Sequence, residues 1–160
     1  MRKLFYSGLF VFAGMAFQPA KIPTAREALD YSSDPRFHAL RRFFEKTECP
    51  AVQYSEVFLQ AADDYDLDWR LLPSLSFIES TGGKNARNNN MFGWDNGRAR
   101  FESPAAGIHH VGYRLGTSER YRDKELDEIL ATYNSNVGYG QKVKSVMRRI
   151  APAERIAPSD

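Results

Sequence analysis

The sequence predicts a mostly α-helical single domain, with a small β-hairpin or irregular lobe beside a core of about six helices. Three observations carry this reading. Apolar residues recur at helical spacing in successive stretches, and caps or chain breakers separate those stretches. The one long stretch without helical period, from Asn85 to Phe101, is rich in asparagine and glycine. The chain has 160 residues, 42% of them hydrophobic and 26% charged, which suits one globular domain with its own core.

Residues 1–20 read as an export signal. Arg2 and Lys3 form a basic start, and Leu4 to Phe17 is an apolar run shorter than the ~20 residues of a membrane span. The small residues around Gly14-Met15-Ala16 place cleavage after Ala16, with Ala20 as the second choice and an uncleaved anchor as the alternative. The expected location is periplasmic or extracellular, with no membrane contact beyond the leader. Without Arg2 and Lys3 the count is 22 − 2 = 20 basic against 20 acidic side chains, a net charge near zero. A nucleic-acid partner, which requires a basic field, is therefore not expected. The single cysteine, Cys49, permits neither an internal disulfide nor a zinc framework. It reads as a small buried residue or the donor of an intermolecular bond.

Residues 21–33 are polar and read as a linker into a domain spanning 34–150. Asp34-Pro35 is an N-cap followed by a first helical residue, and Phe37, Leu40, Phe43 and Phe44 form a stripe up to about Lys46. Arg41 and Arg42 read as its solvated face, with a wall-phosphate or membrane-surface role as the alternative. Glu48-Cys49-Pro50 breaks that helix. The next begins near Ser55 and places Phe58, Ala61, Ala62 and Tyr65 on one side. Asp63, Asp64, Asp66 and Asp68 lack the glycine and closing glutamate of a calcium loop, so no metal is expected there. Ser103-Pro104 opens a helix with Ile108, Val111, Gly112 and Leu115 on one face. The adjacent His109 and His110 project about 100° apart and cannot share a metal. A helix from about Asp123 to Tyr133 aligns Leu126, Ile129, Leu130 and Tyr133. The last helix aligns Tyr139, Val143, Val146, Met147 and Ile150, and residues 151–160 read as a frayed tail.

The central stretch, Asp68 to Trp94, is the most informative. Leu71, Leu72, Leu75 and Ile78 share a helical face, Asp68 is a candidate N-cap, and Gly82-Gly83 supply the stop. Glu79 falls on that apolar stripe at the helix C-terminus. Low-dielectric surroundings and the negative helix end both favour a protonated carboxyl, the form that donates a proton to a leaving sugar oxygen. The alternative is a glutamate that reaches water or pins a loop. In the segment that follows, Asn88-Asn89-Asn90 suit Asx turns and Asp95-Asn96-Gly97 suits a hairpin turn. Phe92, Trp94 and Phe101 are candidates to lie against sugar rings or to fill the lobe's own core, with Phe92 mainly in the core. Tyr133 ends an apolar stripe as Glu79 does. It is either a phenol brought near the acid or a core tyrosine.

Glu79-Ser80 closing a helix as E-S-T-G-G, then Asn90-Met91-Phe92-Gly93, and later Tyr133-Asn134, resembles the lysozyme-like superfamily. The pattern is most similar to the bacterial glucosaminidase family, with the lytic transglycosylases as cousins, and covers roughly residues 54–150. The motifs are short, and their order and spacing carry the signal. The resemblance implies a cleft beside the lobe and cleavage of β-1,4 bonds in N-acetylglucosamine glycans, peptidoglycan first. It implies Glu79 as general acid and later base, with Tyr133 positioning or stabilising the oxocarbenium-like state. Ser80, Asn90, Phe92, Trp94, Asn134 and Tyr139 are the candidate substrate contacts, and Asp95 and Glu102 the candidate second carboxylates. Without a second carboxylate, the substrate's N-acetyl group assists or its O6 attacks. No cofactor or metal is expected, and a monomer is. The rival classes are a non-catalytic glycan-binding module and an envelope-assembly factor that docks through the Phe37 to Phe44 helix.

Overall fold

The computed structural model describes residues 30–152. The predicted leader, most of the linker and most of the tail lie outside the described residues. Six α-helices follow one another, joined by turns and one irregular lobe, with a single isolated bridge between Arg87 and Asn90 as the only β pairing among the described residues. The chain is therefore a mostly α-helical domain.

Helix α1 (Pro35–Lys46) starts as its sequence dictates: the Asp34 carboxylate accepts from the Arg36 amide at 2.7 Å, and Pro35 occupies the first turn, where no backbone donor is lost. Leu40, Phe43 and Phe44 are buried, so the apolar face proposed for docking is turned into the core of its own domain. A 3-10 turn (Pro50–Tyr54) leads directly into α2 (Ser55–Asp64). Ser55 is thus not the cap expected of it; its hydroxyl donates to the Val52 carbonyl at 2.8 Å, inside a continuous run of turns. Arg36 ties the first two helices together by ion pairs to Asp34 and Asp63, which occupies one of the acids of the aspartate run.

Helix α3 (Leu71–Ser80) is the axis of the domain and packs against α2, against α4 (Pro104–Thr117) and against α6 (Tyr139–Ile150). Leu71, Leu72 and Leu75 are 0–1% exposed. Burying each such side chain is worth roughly 1.5–3 kcal/mol, which fixes this short helix in the core. It begins two residues later than the Asp68 cap implies. The Asp68 carboxylate accepts from the Arg70 amide and is also held by the Arg70 guanidinium, so it closes a turn ahead of the helix. The helix ends on Thr81 at φ 54°, and Gly82 (φ 60°) and Gly83 (φ 96°) continue the left-handed run. A β-branched residue is seldom found there.

Ser103 caps α4 by accepting from the Ala106 amide at 3.1 Å. Helix α5 (Leu126–Tyr133) starts with a reciprocal capping box between Glu125 and Glu128, which sets its first residue at Leu126 rather than Asp123. The lobe at 81–103 forms no hairpin. Asn88, Asn89, Asp95, Asn96 and Gly97 all take positive φ, and apart from the isolated Arg87–Asn90 bridge no ladder pairs the flanking residues. The irregular form of the lobe is what the asparagine content produces.

Candidate active site

The last turn of α3 carries Phe77 to Ser80, and the spacing that buries Leu72 and Leu75 brings Glu79 to the edge of the core. Glu79 is half-buried and lines the wall of a cleft of about 850 Å³. It makes no ion pair among the described residues. Its Oε1 accepts from the Tyr139 hydroxyl at 2.7 Å. Its Oε2 accepts no hydrogen bond from the described residues and faces Gly93, where an added Cβ would lie 3.2 Å away. The carboxyl group is thus held at one oxygen and open at the other.

The opposite wall is the lobe. Asn90 is 4% exposed and is its organising residue. Its amide donates to the Trp94 and Ala99 carbonyls at 3.0 and 3.3 Å, and its carbonyl oxygen accepts from the Trp94 amide at 2.9 Å. Ser80, also 4% exposed, donates to the Met91 carbonyl at 2.8 Å and accepts from the Gly83 amide at 3.0 Å. Both residues are consumed by these bonds. They hold the lobe on the helix end rather than present polar atoms to the cleft. Phe92 is 1% exposed and plugs the lobe's core, while its carbonyl accepts from the Tyr133 hydroxyl at 2.7 Å.

Trp94, half-buried, does line the cleft. Its ring meets those of Tyr121 and Tyr133 at 6.5 and 6.0 Å between centroids. Tyr133 stacks on Tyr139 at 6.0 Å with an interplanar angle of 11°. The two tyrosines therefore form a layer: Tyr139 beneath holds Glu79, and Tyr133 above braces the lobe. The phenol bonded to the acid is Tyr139, not Tyr133. Tyr133 shares the cleft with Glu79 without a hydrogen bond to it. Burial first, then the nearby Glu79 charge, pushes the Tyr133 hydroxyl well above its ordinary value. Burial and the hydrogen bond to Glu79 do the same to Tyr139. Both phenols stay protonated donors through neutral pH.

Asn134, Asp95 and Asn96 also line the cleft. The Asp95 carboxylate pairs with Arg98 at 2.8 Å. Glu102 does not line it: its carboxylate is exposed, and its backbone carbonyl accepts from Asn89. Phe101 lies beside His110, centroids 5.3 Å apart, away from the cleft lining. Two lining residues escape sequence reasoning. Tyr121 and Arg120 sit in the turn between α4 and α5, outside any apolar period, and reach the cleft only because that turn folds over it. Arg120 donates to the Thr132 carbonyl at 3.3 Å and is the one cationic side chain among the described residues of the lining.

The cleft thus combines an acid open at one oxygen, an aromatic wall and polar side chains. No protein-family model, no curated protein and no solved structure matches this chain.

Proposed function

We propose that the protein is an exported glycosidase that cleaves β-1,4 bonds in N-acetylglucosamine-containing glycans, with peptidoglycan as the first candidate. The observation that carries the proposal is the state of Glu79. One oxygen is fixed by Tyr139 and the other is open to a groove large enough for several sugar rings. The similarity of the E-S-T-G-G, Asn90 to Gly93 and Tyr133-Asn134 segments to the glucosaminidase family supplies the substrate class.

In this reading Glu79 acts as the general acid and gives a proton to the glycosidic oxygen as the bond to C1 breaks. Charge then develops on the ring carbon and its oxygen. In the same reading Trp94 and Tyr133 hold the sugar chain against the wall, and Asn96 and Asn134, which line the cleft, bond its hydroxyl and acetamido groups. Water attacks C1, and the Glu79 carboxylate takes the proton that water loses.

A second reading is favoured by one observation. Among the described residues Asp95 is the only other carboxylate in the cleft lining, and Arg98 engages it. Attack on C1 by the sugar's own O6 requires no second carboxylate. The O6 proton then passes to Glu79, and the product is an anhydro sugar.

Glu79→Gln keeps the fold and lowers turnover of purified peptidoglycan sacculi by about a hundredfold or more, the usual worth of a general acid. Unchanged turnover refutes the proposal. Mass analysis of the new chain ends separates the glucosaminidase, muramidase and anhydro-forming outcomes. Binding without product in both wild type and variant leaves a glycan-binding module.

A further inference from the structure

Away from the cleft, α1 and α6 pack side by side and leave a second cavity of about 360 Å³ near their C-terminal ends. Arg42 and Lys46 line it from α1, and Arg149 lines it from α6. Ala39, Phe43 and Ile150 supply its apolar part. No acidic side chain lines it, and none of the three cations has a carboxylate partner among the described residues. The nearest acid of α1, Glu45, is already paired with Arg41 at 2.8 Å. On α6, which has no acidic residue, Lys144 is engaged by Asp127.

The guanidinium of Arg149 lies over the rings of Phe43 and Phe77, 5.4 Å from each centroid. That stacking restrains a side chain that would otherwise sample many rotamers, so less order is lost when it binds an anion. Cations are favoured at helix C-termini, which accounts for a basic residue at each helix end. It does not account for three of them converging on one hollow with no counter-charge among the described residues.

We propose that this hollow binds the phosphate group of a phosphate ester. Two guanidinium forks match the paired oxygens of a phosphate, and Lys46 adds a point charge. The apolar part made by Phe43 and Ile150 meets the carbon chain that the ester carries, which favours an ester over inorganic phosphate. The chemistry is shared by a lipid headgroup and a soluble or polymeric glycerol phosphate, and it is independent of the role of Glu79.

The full chain is titrated with glycerol 3-phosphate and, separately, with inorganic phosphate, followed by the arginine Nε–H signals in NMR spectra. In parallel it is sedimented with vesicles of phosphatidylglycerol and of phosphatidylcholine. Saturable shifts with glycerol 3-phosphate, or selective sedimentation with phosphatidylglycerol, support the proposal and identify the soluble or the lipid source respectively. In Arg42→Gln/Lys46→Gln, two exposed positions whose loss spares the core, the affinity falls about 25-fold, at roughly fivefold per charge. The thermal midpoint stays unchanged. Absence of both signals in the wild type, or equal binding by the double variant, overturns it.

Discussion

The bond from the Tyr139 hydroxyl to Glu79 Oε1 is the most exposed part of the mechanism to test. Tyr139→Phe removes one oxygen and leaves the ring, its stack on Tyr133 and the start of α6 in place. A hydrogen bond to a charged acceptor contributes about 1.5–3 kcal/mol when neither partner can find water. Glu79 is half-buried and borders an open cleft, so water replaces much of the lost bond. The expected stability cost is therefore near the lower end, about 1–1.5 kcal/mol. For an ordered segment of this size that is a fall of about 4–6 °C in Tm. The catalytic cost is larger in proportion. A carboxyl group free to rotate away from the groove is mispositioned by about 1 Å, which lowers kcat by roughly ten- to a hundredfold. Under the proposed glycosidase reading KM stays near its wild-type value, because the residues proposed to hold the sugar chain line the cleft elsewhere. The assay is release of new chain ends from purified sacculi at several substrate concentrations, with a thermal melt beside it. Tyr139→Leu, which also removes the stack, serves as the comparison and costs far more stability. An unchanged kcat in Tyr139→Phe refutes the positioning role, whatever the melt shows.

Other outcomes follow from the same contacts. Asn90→Ala removes three hydrogen bonds inside the lobe and strands the Trp94 amide and the Ala99 carbonyl, while the Trp94 carbonyl keeps the Gly97 and Ala99 amides, so it costs about 2–3 kcal/mol and shifts tryptophan fluorescence as Trp94 loosens. Gly82→Ala forces a side chain to φ 60° and to within 2.8 Å of the Cys49 Cβ; strain and overpacking together cost about 2–4 kcal/mol, read as a lower denaturation midpoint. Stability also depends on alkaline pH. The folded hydroxyls of Tyr133 and Tyr139 ionise well above 10.0, their ordinary value. Their contribution is whole below that pH and is lost as pH rises from there towards the folded values. Denaturant titrations show stability falling by about 1.4 kcal/mol per pH unit for each tyrosine above pH 10, and Tyr139→Phe removes one share of the slope.

Local chemistry made much of this protein legible before any coordinates. The six helices were readable because each buries one face, and a buried face leaves a period of 3.6 in the sequence. Asp34-Pro35 and Ser103-Pro104 marked two helix starts correctly because an N-cap works through neighbouring residues alone. Glu79 was readable as the odd carboxyl on an apolar stripe. Other features depended on contacts between distant parts of the chain. The lobe's asparagines read equally well as a hairpin turn or as an irregular coil. What decided was the side chain of Asn90, bonded to Trp94 and Ala99 in place of a strand ladder. Which tyrosine reaches Glu79 could not be read from the chain either. Tyr133 and Tyr139 are both polar-tipped residues at helix ends, and only the packing of α6 against α3 puts the hydroxyl of residue 139, sixty positions away, on that carboxylate. Sequence periodicity reports which face of a helix is buried; which neighbour covers that face is a matter of tertiary packing, and the geometry of the cleft was settled there.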